Sequence, residues 1–193
     1  MTVNELAIPG NLALLRASMD LGALVPSAVL EISFALLDPR LFWLHAAICT
    51  WWRYKQRAPL LEPARLRRDI VICFLSFVVS MAAVAAIKVG VNAPRPAVAL
   101  AGFSARMIAG DPYGFPSGHA AVAVVIAYVL RPLMGAVGRL GLLLLVAWTM
   151  LARCIAGLHF PIDVVVGAGI GWAGSFAASR LGGWGIRDKQ ARS

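Results

Sequence analysis

One histidine of the chain stands where a polar loop gives way to a long apolar run. His119 closes the sequence Phe115-Pro116-Ser117-Gly118-His119, in which Ser117 suits a helix N-cap and Gly118 allows close approach to the backbone. Free backbone N–H groups, the positive end of the helix dipole and an imidazole would converge there. Such a place favours an anion, and phosphate is the common one.

A second histidine, His159, comes just before a predicted helix that begins near Pro161. Asp163, four residues further on, can accept a hydrogen bond from one imidazole nitrogen and leave the other free to attack. With His159 as nucleophile and His119 as general acid, phosphoryl transfer would divide into two easier steps. Taken singly, each histidine also fits a less specific role, as a helix cap or as a hydrogen-bonded polar group at a membrane interface.

Three basic residues, Lys88, Arg95 and Arg153, could supply the charge that developing phosphoryl oxygens need. The alternative for single basic residues at helix ends is snorkelling towards water. Snorkelling does not explain why Arg95 lies between Pro94 and Pro96, which restrict its backbone on both sides. We therefore interpret the histidines and the cations as one phosphate site.

The elements that must position these residues are membrane-spanning helices. Of the 193 residues, 60% are hydrophobic and 14% are charged, against about 25% charged in soluble domains, and the mean hydropathy is +0.78. We expect an all-α polytopic membrane protein with a single domain, residues 1–193. Six apolar segments predict a six-helix bundle, at residues 21–37, 41–52, 70–89, 120–130, 140–152 and 162–178.

An even number of spans puts both ends of the chain on one side of the membrane. Most of the 18 basic residues fall in the loops and ends on that side. The positive-inside rule makes this side cytoplasmic, so the candidate site faces the exterior. The small size and the Arg- and Ala-rich composition favour a bacterial cytoplasmic membrane.

The formal net charge of +9 would suggest nucleic acid as the partner of a soluble protein. In a membrane protein, basic loops that face anionic lipids explain the charge better, so we expect membrane lipids and no nucleic acid as partners. Cys49, Cys73 and Cys154 lie in apolar runs, where cysteine behaves as a small hydrophobic residue. Since no cysteine pair has metal-ligand spacing, we expect no disulfide framework, no zinc and no other cofactor.

Two features of the N-terminal region stand apart from the site. Residues 1–20 carry spaced apolar residues that would suit a short helix lying on the membrane face. Glu31 is an acidic side chain within an apolar span, which is energetically costly. It could pair with a site cation or contact a headgroup, or it could form an interior ion pair or a protonated, hydrogen-bonded carboxyl.

The stretches that carry the candidate residues resemble the three motifs of the type 2 phosphatidic acid phosphatase superfamily. Lys88-Val-Gly-Val-Asn-Ala-Pro-Arg95-Pro96 resembles K-x6-R-P, and Pro116-Ser117-Gly118-His119 matches P-S-G-H. Arg153-Cys-Ile-Ala-Gly-Leu-His159-Phe-Pro-Ile-Asp163 resembles S-R-x5-H-x3-D. Order and internal spacing agree across residues 88–163, while the first two spans match only in being apolar.

The resemblance implies a six-helix lipid phosphatase that needs no metal. It implies His159 as the nucleophile that forms a phosphohistidine, Asp163 as the residue that orients it, and His119 as the acid that protonates the leaving group. The phosphate would be held by the other motif residues, namely Lys88, Arg95, Ser117, the Gly118 N–H and Arg153. Ala152 stands where the third motif usually has Ser, so we expect reduced or altered contact with the phosphate in an active protein.

The predicted reaction is hydrolysis of a membrane lipid phosphate or diphosphate. The resemblance offers undecaprenyl diphosphate, phosphatidylglycerophosphate, phosphatidic acid and lipid A 1-phosphate as substrates, and we favour the first two. We expect the loop at 92–114, with Phe103, Arg106, Met107 and Tyr113, to shape the entrance. Two alternatives stay open: a phosphotransferase that passes the phosphoryl group to another lipid, and a lipid transporter or binding protein with a vestigial site.

Overall fold

The computed structural model of the protein describes residues 10–108 and 110–190. Their regular structure is helical, apart from an isolated antiparallel β-bridge between Pro94 and Tyr113, which confirms the all-α class. The α-helices of this part of the chain are α1 (Asn11–Leu21), α2 (Ser27–Leu36), α3 (Phe42–Arg57), α4 (Pro63–Val91), α5 (Pro96–Ala99), α6 (Gly118–Leu130), α7 (Ala136–Ile155) and α8 (Pro161–Gln190).

Four stretches of the described chain are long and apolar enough to cross a membrane. They are Ser27–Arg57, Pro63–Val91, Ala136–Ile155 and Pro161–Leu181, and a shorter apolar helix covers Gly118–Leu133. Large apolar side chains are exposed on the surface of the bundle, for example Leu140, Leu143 and Leu144 on α7. A surface of this kind suits the hydrocarbon of a bilayer and not water, as the composition predicts.

The six predicted spans are not confirmed. The last four correspond to α4, α6, α7 and α8, each of which extends beyond its predicted apolar core. The first, residues 21–37, is divided, because the chain turns between α1 and α2, and Pro39 keeps Asp38 out of the helical conformation after α2. The ten residues of α2 measure about 15 Å, half of the roughly 30 Å of a bilayer core.

Helices α1 and α2 lie at the end of the bundle that carries the three motifs. Leu15 of α1 is buried against Cys154, and Phe34 of α2 lies beside Arg153. The C-terminal half of α8 lies at the opposite end, next to the last turns of α6. Helix α1 and the end of α8 are therefore at opposite ends of the bundle, whereas an even number of spans predicts one side for both.

The helix predicted within residues 1–20 is found as α1, while residues 1–9 lie outside the described part. Its position on a membrane face stays a prediction. Glu31 is exposed on the surface of α2, so the predicted interior carboxyl is wrong.

Glycines bring α8 into close contact with α6. A Cβ atom added at Gly167 or Gly171 would lie 2.3 Å and 2.5 Å from the carbonyl oxygens of Ser117 and Ala121, respectively. Small residues of this kind let helix backbones approach each other in membrane proteins. The beginnings of the two helices are also joined by a 3.0 Å hydrogen bond from the Ser117 N–H to the Asp163 carbonyl. This packing fixes the two motif-bearing helix starts side by side.

At the opposite end of the bundle, Arg53 connects three helices. Its buried guanidinium group forms an ion pair with Asp69 of α4 and donates to the carbonyl oxygen of Val129 of α6. Burying a charged group is costly unless it has such partners. The bundle is therefore held at one end by close backbone packing and at the other by a buried ion pair.

We expect Gly171→Ala to destabilise the bundle and Gly169→Ala to leave it intact. The methyl group added at Gly171 would overpack the contact with α6, which typically costs about 1–3 kcal/mol. An added Cβ at Gly169, on the same helix, has no atom within 4 Å, so only the small helical preference for alanine remains. Thermal unfolding in detergent should give a lower midpoint for Gly171→Ala alone. Equal midpoints for the two variants would contradict the proposed packing.

Candidate active site

The predicted site residues surround one cavity of about 630 Å³ at the motif end of the bundle. Six of them line it: Lys88, Arg95, Gly118, His119, Arg153 and His159. The other two, Ser117 and Asp163, are fully buried next to it. The end of α4, the loop after it, the start of α6 and the α7–α8 connection thus bring the predicted residues to one place.

The connection between α7 and α8 holds His159. Gly157 has φ +69°, a left-handed conformation that glycine adopts freely, and the chain turns there after α7. Asp163, in the first turn of α8, accepts a 2.9 Å hydrogen bond from the Phe160 backbone N–H just before the helix. The same carboxylate oxygen lies 3.4 Å from Nδ1 of His159. The structure therefore brings the two side chains together as their spacing predicts.

The partners of His159 assign the positions of its proton and its lone pair. Its Nε2 lies 3.1 Å from Nη1 of Arg95 and 3.3 Å from Nη2 of Arg153. A guanidinium group can only donate, so Nε2 must accept and the ring proton is on Nδ1, which faces Asp163. The available lone pair of the imidazole is thus on the nitrogen next to the cations.

Phe34 of α2 lies outside the three motifs, yet it contacts two site residues. Its carbonyl oxygen is 3.3 Å from Nε2 of His119, and its ring is edge-on to the imidazole with centroids 5.8 Å apart. The guanidinium carbon of Arg153 lies 4.2 Å from the Phe34 ring centroid. Because a carbonyl oxygen can only accept, Nε2 of His119 carries a proton, and Nδ1 is the nitrogen that can exchange one.

Asp111 is a second residue outside the motifs that reaches the site. Its Oδ1 atom lies 3.1 Å from Nζ of Lys88 and 3.1 Å from Nη2 of Arg95. The same cations also bind the loop backbone, since Arg95 Nε donates to the Asp111 carbonyl and Lys88 Nζ to the Tyr113 carbonyl. Burial would raise the pKa of Asp111, but Lys88 and Arg95 together hold it below its ordinary value. Asp111 is therefore a negative charge among the predicted phosphate ligands.

No sequence signal marks Phe34, because it is one apolar residue among many in a predicted span. Asp111 had a weak signal, since the chain has only nine acidic residues and this one falls in the loop between the first two motifs. Its distance of 23 residues from Lys88 has no periodicity that would link the two. Contacts of this kind depend on the path of the loop.

Three predicted details differ in the structure. Ser117 occupies the N-cap position of α6, but its side chain makes no capping hydrogen bond. Gly118 permits the close approach of Pro39, whose Cγ would lie 2.8 Å from an added Cβ. Ala152 is buried in an apolar cluster between α2 and α7 and does not line the cavity. Replacing the usual Ser at Ala152 therefore removes no group from the cavity wall.

The loop residues that were expected to shape the entrance have different positions. Met107 lines the main cavity, and Phe103 lines a neighbouring cavity of about 570 Å³. Arg106 donates two hydrogen bonds of 2.6 Å to backbone carbonyls in the turn between α1 and α2. It therefore fastens the loop to the N-terminal helices.

The chemistry of metals and thiols has little support in this part of the chain. Within residues 10–108 and 110–190, no group of three or more His, Cys, Asp or Glu side chains is placed to hold a metal ion. The cysteines Cys49, Cys73 and Cys154 are buried and free.

A model of the PAP2 superfamily matches residues 69–186, more than half of the chain. The chain belongs to this superfamily. All three motifs lie within the matched residues. The crystal structure of Aquifex aeolicus LpxE has a similar fold, with a TM-score of 0.75 and 23% sequence identity over 93% of this chain and 99% of that chain. No curated protein matches the chain.

We expect the imidazole of His159 in this PAP2 site to stay neutral well below pH 6.5. Burial, and then the charges of Arg153 and Arg95, lower the pKa of His159 well below its ordinary value of 6.5. A lowered pKa means that the proton leaves at a lower pH, so the nucleophilic neutral form exists where a free histidine is protonated. NMR titration of labelled histidines should show this, and Arg153→Met should move the titration to higher pH. Titration of His159 near pH 6.5 in the wild type would contradict the electrostatics.

We expect Phe34→Leu to lower kcat/KM for a lipid phosphate by roughly three- to thirtyfold, the range of a desolvated cation–π contact. The change removes the aromatic contacts to His119 and Arg153. Phe176→Leu is the matched control, because it removes a cation–π contact with Arg180 at the other end of the bundle. Equal activity in the two variants would exclude a positioning role for Phe34.

Proposed function

We propose that the protein hydrolyses a membrane lipid phosphate or diphosphate through a phosphohistidine at His159. Membership in the PAP2 superfamily supports a lipid phosphatase. The observation that carries the mechanism is the buried imidazole of His159, whose Nε2 lone pair is next to two guanidinium groups and whose Nδ1 faces a carboxylate. A nucleophile placed among the cations that would bind a phosphate is ready for in-line attack.

In the first step, Lys88, Arg95 and Arg153 bind the phosphoryl oxygens and stabilise the charge that develops on them. Nε2 of His159 attacks phosphorus, and the bond from phosphorus to the leaving oxygen breaks. His119 gives that oxygen a proton through Nδ1. The imidazole of His159 becomes positively charged when its nitrogen is phosphorylated, and the carboxylate of Asp163 stabilises this charge.

In the second step, water attacks the phosphorus of the phosphohistidine. His119 now acts as a base and takes a proton from the water, so its initial protonation state for the next cycle is restored. The bond between phosphorus and Nε2 breaks, and its electron pair returns to the imidazole. The products are an alcohol, or a lipid monophosphate from a diphosphate, together with inorganic phosphate.

A lipid is favoured over a soluble phosphate by the composition of the cavity wall. Phe42, Met81, Val84 and Ala85 line the same cavity as the cations and the histidines. An apolar chain attached to a phosphate could therefore occupy the apolar side while the phosphate meets the charges. Undecaprenyl diphosphate and phosphatidylglycerophosphate remain the favoured substrates, and phosphatidic acid and lipid A 1-phosphate are further candidates.

The proposed location is a bacterial cytoplasmic membrane, with the motif end of the bundle facing the exterior. The basic residues between α3 and α4 lie at the other end, which agrees with the positive-inside rule. Helices α1 and α2 would then lie on the outer side, around the site.

We expect His159→Ala to abolish phosphate release by at least about 10³-fold, as loss of a nucleophile does in other enzymes. The purified protein is assayed in EDTA with a panel of lipid phosphates and diphosphates. His45→Ala is the control, because His45 lies on α3 and does not line the cavity. Wild-type hydrolysis in EDTA, retained in the control, would support the proposal and name the substrate.

Two other outcomes would replace it. Phosphate transfer that requires an acceptor lipid, with no free phosphate in its absence, would indicate a phosphotransferase. Lipid movement across vesicles with no chemistry on any substrate would indicate a transporter with a vestigial site.

A further inference from the structure

A single carboxylate oxygen bridges two of the cations that are assigned to the phosphate. Oδ1 of Asp111 is 3.1 Å from Nζ of Lys88 and 3.1 Å from Nη2 of Arg95. A phosphate bound by both cations would need one of its oxygens between the same two nitrogens. The carboxylate and a phosphate oxygen therefore compete for one position.

The loop backbone takes up further donors of the same cations. Nε of Arg95 is 2.8 Å from the Asp111 carbonyl oxygen, and Nη1 of Arg95 donates to the Leu158 carbonyl. These backbone contacts can persist while the Asp111 side chain moves, because they use other atoms. Only the side chain of Asp111 stands in the place of an anion.

There is room for the side chain to move away. The Asp111 side chain is 48% exposed, and Asp111 lines both the main cavity and the neighbouring cavity of about 570 Å³. A rotation of the side chain towards the second cavity would free the two cations without unfolding the loop. The pair with Lys88 and Arg95 is half-exposed, so breaking it requires less free energy than breaking a buried ion pair.

We propose that Asp111 is an internal competitor for phosphate, which neutralises Lys88 and Arg95 in the empty site and sets the affinity for the phosphate group. This inference rests on the proposed function, in which these cations bind the substrate phosphate. The substrate displaces the carboxylate, and after hydrolysis the carboxylate returns and displaces inorganic phosphate. Asp111 therefore determines affinity and product release, and takes part in no bond-breaking step.

The test measures the binding of inorganic phosphate to the purified full chain by calorimetry, and its inhibition of lipid hydrolysis. Asp111→Asn removes the charge with little change of shape, and Asp111→Ala removes the group. Both should lower the Kd of phosphate by at least about fivefold, the factor of one charge-assisted hydrogen bond or less. Asp111→Glu, which keeps a carboxylate, should bind phosphate less tightly than Asp111→Asn.

Asp38→Asn is the matched control. Asp38 lines the same cavity, but its carboxylate is paired with Arg40 instead of Lys88 or Arg95. It should change the Kd of phosphate by less than Asp111→Asn does. If Asp38→Asn had the same effect, the general charge of the cavity would explain it, and the specific competition would be excluded.

An unchanged or higher Kd in Asp111→Asn and Asp111→Ala would overturn the inference, because Asp111 would then be positioning the cations for phosphate. The binding measurement needs no turnover. If wild type hydrolyses no lipid while the Asp111 variants bind phosphate more tightly, the proposed function fails and the inference holds.

Discussion

Three cations converge beside a buried imidazole, and this concentration of positive charge is the constraint on which the site depends. Lys88, Arg95 and Arg153 all lower the pKa of His159, after the effect of burial itself. Such a cluster is stable only if anions are near, and the histidine must stay neutral. The empty site meets the first condition with Asp111. A bound phosphate would meet it in the same way, which is why the competition between the two is built into the charge balance.

The fold serves this cluster by fixing the ends of four helices. Close contact of α8 with α6 places the His119 and His159 segments side by side, and the Ser117 to Asp163 hydrogen bond joins them. Phe34 then links His119 to Arg153 from α2, outside the motifs. The N-terminal helices therefore act as part of the site wall and do not form a separate pair of membrane spans.

The sequence predicted the site well and the N-terminal part of the fold poorly. His159 and Asp163 meet because their spacing is one helical turn, and long apolar runs were sufficient to find α4, α7 and α8. The division of residues 21–37 depends on a turn and on Pro39, which a hydropathy pattern does not resolve. Asp111 reaches the cations through an irregular loop, and no periodicity could have placed it there.

The most direct test of the central claim is to trap the phosphorylated protein. The purified protein is mixed rapidly with a radiolabelled lipid phosphate, denatured in alkali, in which phosphohistidine survives, and digested for peptide mapping. The account predicts label on the peptide that contains His159, formed and lost at the rate of turnover and absent in His159→Ala. Full-rate hydrolysis without labelled protein, or label on another residue, would contradict it.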